Sequence, residues 1–424
     1  MKVFKFGGAS VKDASAVRNV SDILKRFENE KIIVVVSAMG KTTNALEEVA
    51  NHFWKRDEAA FEGKLQEIEA FHFALIDELY TSDSSGIKTT ITTILGKLRR
   101  QFKDEERKSF DFEYAQIVSL GEVISTHIVN QFLVSDGHAS VFADARTLVR
   151  TNHNYREAEI NWAMTEELVN RNFLPAFENC SIQVTQGFIG HTSDGFTTTL
   201  GREGSDFTAG IFAYCTQAES VTIWKDVPGM LNADPKFFEN TIKLDKISFR
   251  EAIELSYYGA SVIHPKTIKP LQNKGIPLYV KSFIHPEAAG TIIQADLDQD
   301  HLIPSFIFKH QQILMSFSPK DFSFIAEENL SDIFNRLSRG NAKINLMQNS
   351  ALSFSVLLDE EKIDLQNLLG LFENQYTIKF NQNLELVTIR HYDQKTIDLV
   401  TKNKEIILEQ KTRQTARLVL KSIS

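Results

Sequence analysis

The sequence predicts an α/β protein in two parts: a mainly parallel sheet sandwiched by helices, then a smaller α+β region. Three observations carry that expectation. Strand-like and helical patterns alternate from the N-terminus to about Gly290, the order that builds parallel sheets covered on both faces. Residues 32–36 are a continuous β-branched run, which suits a strand buried on both faces. Past Ala289-Gly290 and Ile303-Pro304 the elements become shorter. The length of 424 residues also exceeds what a single core usually sustains.

Residues 3–6 read as a short strand ending at Gly7-Gly8. Over residues 13–29, Val17, Val20, Ile23, Leu24 and Phe27 fall at helical spacing. The buried run 32–36 supplies the second strand. A long helical region is expected over 44–80 and again over 114–134. Strands follow at 182–189, 220–224 and 277–283, with helical patterns between them. Domains are set at 1–300 and 301–424. In the second, strand 313–317, helix 329–337, strands 343–347 and 353–358 and helix 363–372 come first. Strands 376–380 and 384–389, a helix at 396–401 and strands near Ile406 and Leu418 complete it. The order is that of two βαββαβ units, incomplete or interleaved.

Composition narrows the function. The formal net charge of -8 disfavours nucleic acid and anionic membrane as principal partners. No signal-peptide-like apolar region opens the chain, and no uncharged apolar run reaches membrane length. The two cysteines, Cys180 and Cys215, form no metal-like spacing. A cytoplasmic location is the expectation.

Four segments carry chemistry. In Lys5-Phe6-Gly7-Gly8-Ala9-Ser10 a lysine closes a strand, and two glycines let backbone amides approach an anion. Alone, a Gly-Gly turn is usually only a turn, and the P-loop order is absent. In Val36-Ser37-Ala38-Met39-Gly40-Lys41-Thr42-Thr43-Asn44 a buried strand runs into hydroxyl residues before a helix. Open α/β sheets bind ligands at that end of a strand, although a helix cap explains the hydroxyls equally well. In Thr197-Thr198-Thr199-Leu200-Gly201-Arg202-Glu203-Gly204-Ser205-Asp206, Ser205 and Asp206 suit a helix start. Arg202 between glycines suits a carboxylate gripped by two parallel hydrogen bonds. The fourth, Lys225-Asp226-Val227-Pro228-Gly229-Met230-Leu231-Asn232-Ala233-Asp234-Pro235-Lys236, reads by composition as a surface loop.

Together, in this order, these segments resemble those of the aspartate kinase family of the amino-acid-kinase fold. The resemblance spans residues 2–292, with support from Ser119-Leu120-Gly121-Glu122, Gln186-Gly187-Phe188-Ile189-Gly190 and Ile263-His264-Pro265. It implies transfer of the ATP γ-phosphoryl to the β-carboxylate of L-aspartate, giving 4-phospho-L-aspartate, the first step towards lysine, threonine and methionine. By similarity, Lys5 and Asp206 are catalytic, and Gly7, Gly8, Ser10 and Ser37 bind phosphate. Thr43, Glu122, Phe188, Arg202 and Ser205 form the aspartate pocket. Lys225, Asp226, Leu231 and Lys236 lie on the ATP side. The chemistry agrees: a carboxylate of reference pKa about 3.9 is ionised at neutral pH and needs no general base. Mg²⁺ is expected to arrive with ATP, without an all-protein metal cage.

The second part resembles paired ferredoxin-like ACT domains, which implies a homodimer and an amino-acid effector site at Met315, Ser318, Asn345 and Ser350. Some positions depart from the family pattern. Glu203 stands where glycine is commoner, Ser261 where a nucleotide-contacting lysine is usual, and Leu231 where an aromatic is common. Ala351 replaces the acid that would pair an effector's ammonium. His264 and His285, each before proline, read as structural. The end at Ser424 leaves no fused homoserine dehydrogenase expected. Acetylglutamate, carbamate and uridylate kinases, or a non-catalytic amino-acid sensor, are the rival readings.

Overall fold

Eight strands, most of them parallel, form the first sheet, and their residues explain it. The computed structural model describes every residue except 81–83, 105, 239, 261–262, 296–302, 322 and 424. Ser261, the expected boundary near 300 and Ser424 therefore lie outside the described residues. The elements of the first part run β1 (Lys2–Phe6), α1 (Ala14–Lys25), β2 (Ile32–Val36), α2 (Thr42–Lys55), α3 (Glu58–Leu79), α4 (Ser85–Phe102), α5 (Phe110–Val118) and α6 (Leu120–Ser135). Next come β3 (Ser140–Ala143), α7 (Trp162–Leu168), β4 (Ile182–Gln186), β5 (Ile189–His191), β6 (Thr197–Thr199), α8 (Gly204–Thr216) and β7 (Ser220–Lys225). The last are β8 (Lys246–Ser248), α9 (Phe249–Tyr258), α10 (Pro265–Lys274), β9 (Leu278–Ser282) and β10 (Thr291–Gln294).

The sheet order is β3-β4-β2-β1-β7-β9-β10-β8. From β3 to β9 all pairs are parallel, and β10 alone runs against β9. β2 is buried over its whole length, as its branched run requires. The core joins β1 and β2 to the apolar faces of α1 to α6.

The helical stretch expected over 44–80 is two helices. Arg56 takes a left-handed φ of +59° that ends α2, and Asp57 starts α3 by accepting from the Ala60 amide at 3.2 Å. The stretch 114–134 begins earlier and is divided at Ser119. Its 26 residues are apolar enough by length and composition to cross a membrane, but they are mostly buried inside the fold.

Two compact units emerge, and they are not simple blocks on either side of residue 300. Leu231–Ile242 and Glu254–Ser261 pack with Asp300–Ser424. The second unit holds β11 (Ser305–Pro319), α11 (Glu327–Arg339), β12 (Ile344–Asn349), β13 (Phe354–Asp359), α12 (Leu365–Phe372), β14 (Tyr376–Arg390), α13 (Gln394–Thr401), β15 (Lys404–Lys411) and β16 (Thr415–Ser422). They form one antiparallel six-stranded sheet, ordered β12-β13-β11-β14-β16-β15. The strands expected at 376–380 and 384–389 are one, interrupted by a register shift near Asn383, whose φ is +56°. Two βαββαβ patterns interleave here. The late half of β11 pairs with the early half of β14, and the early half of β11 with the late half of β14. Asn232 fastens the 231–242 segment: its amide side chain donates to Pro304 O at 2.9 Å, and its carbonyl accepts the Phe306 amide at 2.6 Å.

Phe317 is fully buried beneath α12, with its ring 4.5 Å from that of Phe372. Phe317→Ala should cost about 3–5 kcal/mol through lost burial and a residual cavity. Urea denaturation of the full chain, followed by circular dichroism, measures this; an unchanged midpoint would contradict the packing described.

Candidate active site

The carboxyl ends of β1, β2 and β7 lie side by side. Lys5 on β1 pairs across the ladder with Val35 on β2 and Ile223 on β7. Lys225 stands two residues beyond Ile223, so strand alternation turns both lysines to the same face. Ser37 follows β2 directly, and its amide donates to Phe6 O at 3.1 Å. Three strand ends thus present two ammonium groups and a hydroxyl at one edge.

Asp206 sits in the first turn of α8 and meets both cations. Its Oδ1 lies 2.6 Å from Lys5 Nζ and its Oδ2 3.5 Å from Lys225 Nζ. The Asp206 side chain is 3% exposed. Burial alone would raise its pKa, but Lys5 and Lys225 outweigh that and hold it below the ordinary carboxylate value. The group is an anion that fixes two cations in place.

Glycines permit the close approach. A Cβ at Gly8 would lie 2.8 Å from the Ala38 carbonyl oxygen, and one at Gly187 would lie 2.5 Å from Ser205 Cβ. The first lets the loop after β1 meet the loop after β2, where the Gly40 amide donates to Gly8 O at 3.1 Å. The second lets the chain after β4 touch the start of α8.

A cavity of about 460 Å³ opens there. Of the residues singled out in the sequence, it brings together Lys5, Ser37, Thr43, Glu122, Phe188, Arg202, Ser205, Asp206 and Lys225. Gly7, Gly8 and Ser10 are not among the lining residues, although a Cβ at Gly7 would lie 3.3 Å from Lys5 Nζ. The Ser10 hydroxyl, buried, faces Trp224 O at 3.4 Å. Asp226 is exposed and outside the lining. Leu231 and Lys236 belong to the second unit, Leu231 half-buried and Lys236 exposed.

Glu122 is the unusual acid. It projects from α6, is 2% exposed, and accepts the Ala38 amide on Oε1 at 3.3 Å. Its Oε2 has no hydrogen-bond partner among the described residues. Burial pushes its pKa up to about 8. A half-satisfied buried carboxyl is suited to a ligand that brings its own cation. Arg202 is the opposite case: exposed, without an ion-pair partner among the described residues, and open to a ligand's carboxylate.

The cavity also contains Glu47, Tyr114, Arg156, Glu157 and Glu203. The Tyr114 hydroxyl donates to Glu47 Oε1 at 2.6 Å, and the Arg156 guanidinium sits 4.5 Å from the Tyr114 ring centre. Except for Glu203, sequence reasoning missed these residues, because they come from two helices, α2 and α5, and a loop without any recognisable chemical pattern. Of the two histidines read as structural, His264 caps α10, its Nδ1 accepting the Lys266 amide at 3.2 Å. His285 is exposed, 3.6 Å from Glu287.

In the second unit, Met315 is fully buried in the core with Ile313 and Phe317, and its side chain has no free face. Asn345 is engaged with Lys309, Gln312 and Asp359 at 2.7 to 2.8 Å. Ser318 is half-buried, and Ser350 closes a turn with Ser353. Among the described residues, no group of three His, Cys, Asp or Glu could hold a metal ion.

Known proteins resemble this chain over most of its length. The amino acid kinase family pattern matches residues 1–282. The chain is 32% identical over 357 residues to lysine-sensitive aspartokinase 3 of Escherichia coli K12, covering 84% of this chain and 78% of that one. The crystal structure of E. coli aspartokinase III with aspartate and ADP (R-state) superposes with a TM-score of 0.81 at 27% identity, over 99% of this chain and 96% of that one. The same enzyme with lysine and aspartate (T-state) gives 0.83 at 28% identity, over 99% and 95%. With its fold and these similarities in agreement, the chain belongs to the amino acid kinase family and, within it, to the aspartokinases.

Proposed function

We propose that this chain transfers the γ-phosphoryl group of ATP to the β-carboxylate of L-aspartate, releasing ADP and 4-phospho-L-aspartate. The observation that carries the reading is one cavity holding the Lys5–Asp206–Lys225 cluster together with an open Arg202 and a half-satisfied Glu122. The E. coli relative, solved with aspartate and ADP, supports it.

Each residue has a role that its chemistry allows. Arg202 grips the substrate's α-carboxylate through two hydrogen bonds. Glu122 Oε2 takes the α-ammonium, and Thr43 and Ser205 add hydroxyl contacts beside Phe188. The β-carboxylate, ionised already, attacks the γ-phosphorus and needs no base. Catalysis then reduces to alignment and charge neutralisation. Lys5 meets the negative charge of the transferring group, Lys225 that of the nucleotide, and Asp206 keeps both cations placed. A Mg²⁺ ion would arrive on the nucleotide, keeping several of its waters. When bound, the ion neutralises phosphate charge. The enzyme acts in the cytoplasm as a homodimer. That unit also senses an amino acid near Ser318 and Asn345; calorimetric titration with lysine and threonine tests this, and heat from neither removes the sensing role.

Lys5→Ala should lower kcat at least about a hundredfold, roughly 3 kcal/mol of transition-state stabilisation, while the protein still folds. A hydroxamate assay for the acyl phosphate, run with aspartate and with glutamate as control, reads this directly. No product from aspartate in the unmodified protein would end the proposal. Arg202→Lys should raise KM for aspartate, because a point charge cannot replace a forked donor.

The pH dependence follows from Glu122. Its folded pKa is raised from 4.5 to about 8. Its contribution to the stability of the free enzyme is therefore fully present below 4.5 and lost as pH rises towards 8. Binding an ammonium requires the ionised form. Aspartate affinity should rise between pH 6 and 8, by up to about tenfold per unit, and level off above that. Glu122→Gln should flatten the profile, and a slope that survives this change would assign the titration elsewhere.

A further inference from the structure

A second cavity, of about 420 Å³, opens in the first unit between α4, the α5–α6 region and Arg146. It shares no lining residue with the cavity of Lys5. Its volume is in the range that holds small molecules. The deeper wall is apolar: Leu98 and Val123 are each 3% exposed, with Ile94 and Leu120 half-buried beside them. The outer wall is polar, with Lys97 and Thr93 exposed.

The charges around it can be counted. Arg146 is held by Asp144, Nε at 2.9 Å and Nη2 at 2.6 Å, so that pair is neutral overall. His127 stacks on Phe142 with ring centres 4.4 Å apart, and burial lowers its pKa, which leaves it neutral at pH 7. The Gln101 amide is taken by Glu113 at 3.1 Å. Gln116 holds both the amide and the carbonyl of Thr197, at 3.2 and 2.8 Å. Lys97 has no ion-pair partner among the described residues. The cavity therefore offers one uncompensated cation above an apolar wall.

We propose that this cavity is a second ligand site, for a small monocarboxylate with an apolar body. The carboxylate pairs with Lys97, and the hydrocarbon lies on Ile94, Leu98, Leu120 and Val123. A dianion finds no second free charge, and an amine meets the lysine's repulsion. The ligand differs in kind from aspartate, whose second carboxylate and ammonium find no partner in this lining.

The test is calorimetry and ligand-observed NMR on the full chain with 4-methylpentanoate, and with its uncharged amide as control. The acid should bind and the amide should bind at least tenfold more weakly. Lys97→Met should weaken the acid at least tenfold, and Thr93→Trp should abolish binding by filling the cavity. Both positions are exposed, so the variants fold, which circular dichroism checks. Saturating aspartate should leave the probe bound. Absence of binding, equal affinity for acid and amide, unchanged affinity in both variants, or displacement by aspartate would each overturn the assignment. Aspartate titrated alone reports on the active-site reading, so failure of one is distinguishable from failure of the other.

Discussion

The first unit depends on one buried carboxylate set between two lysines. Parallel pairing of β1 with β7 fixes Lys5 and Lys225 on the same face, and two ammonium groups so placed repel each other. Asp206 resolves that conflict from the first turn of α8. The positive end of the helix dipole and the two lysines then converge on the same region. Buried ion clusters of this kind are weak arguments for stability, since desolvation offsets much of the attraction. Their value here is positional: they hold cations where a polyanion must lie.

The remainder of the cavity is more acidic than a phosphate site alone would need. Glu47, Glu122, Glu157 and Glu203 all reach it. The proposed partner of Glu122 is the substrate's ammonium. Glu203 is held at φ +53°, a left-handed backbone that glycine adopts freely, and its Oε2 is buried without a hydrogen-bond partner among the described residues. At that backbone geometry this chain carries both strain and charge.

Much of this was legible in the sequence, for definite reasons. The strands β2, β4 and β7 announce themselves because each is buried on both faces and rich in branched residues, whereas β1 and β9 show only as short apolar runs beside turn residues. The glycines of the first motif could be read because close backbone approach tolerates nothing larger. The helix α4 was not foreseen: its threonines and isoleucines are mediocre helix formers, and only the spacing of Ile87, Ile91, Leu95 and Leu98 reveals the buried stripe. The short strands β3, β5, β6, β8 and β10 escape because three or four residues carry too little periodicity. Arg156 and Glu157 reach the cavity only through the folding of a loop remote in sequence from every motif. Leu231 and Lys236, read as part of a nucleotide loop, pack with the second unit, a grouping set by long-range contacts that local patterns do not encode.

The six-stranded sheet has a mechanical consequence. Because β11 and β14 run unbroken through both halves, neither half owns a complete set of strands. Removing one would sever the ladder of the other, so the pair can be inherited, folded or lost only as a single body. A nested architecture of this sort turns two small motifs, each too slight to bury a large core, into one plank whose ends cannot flex independently.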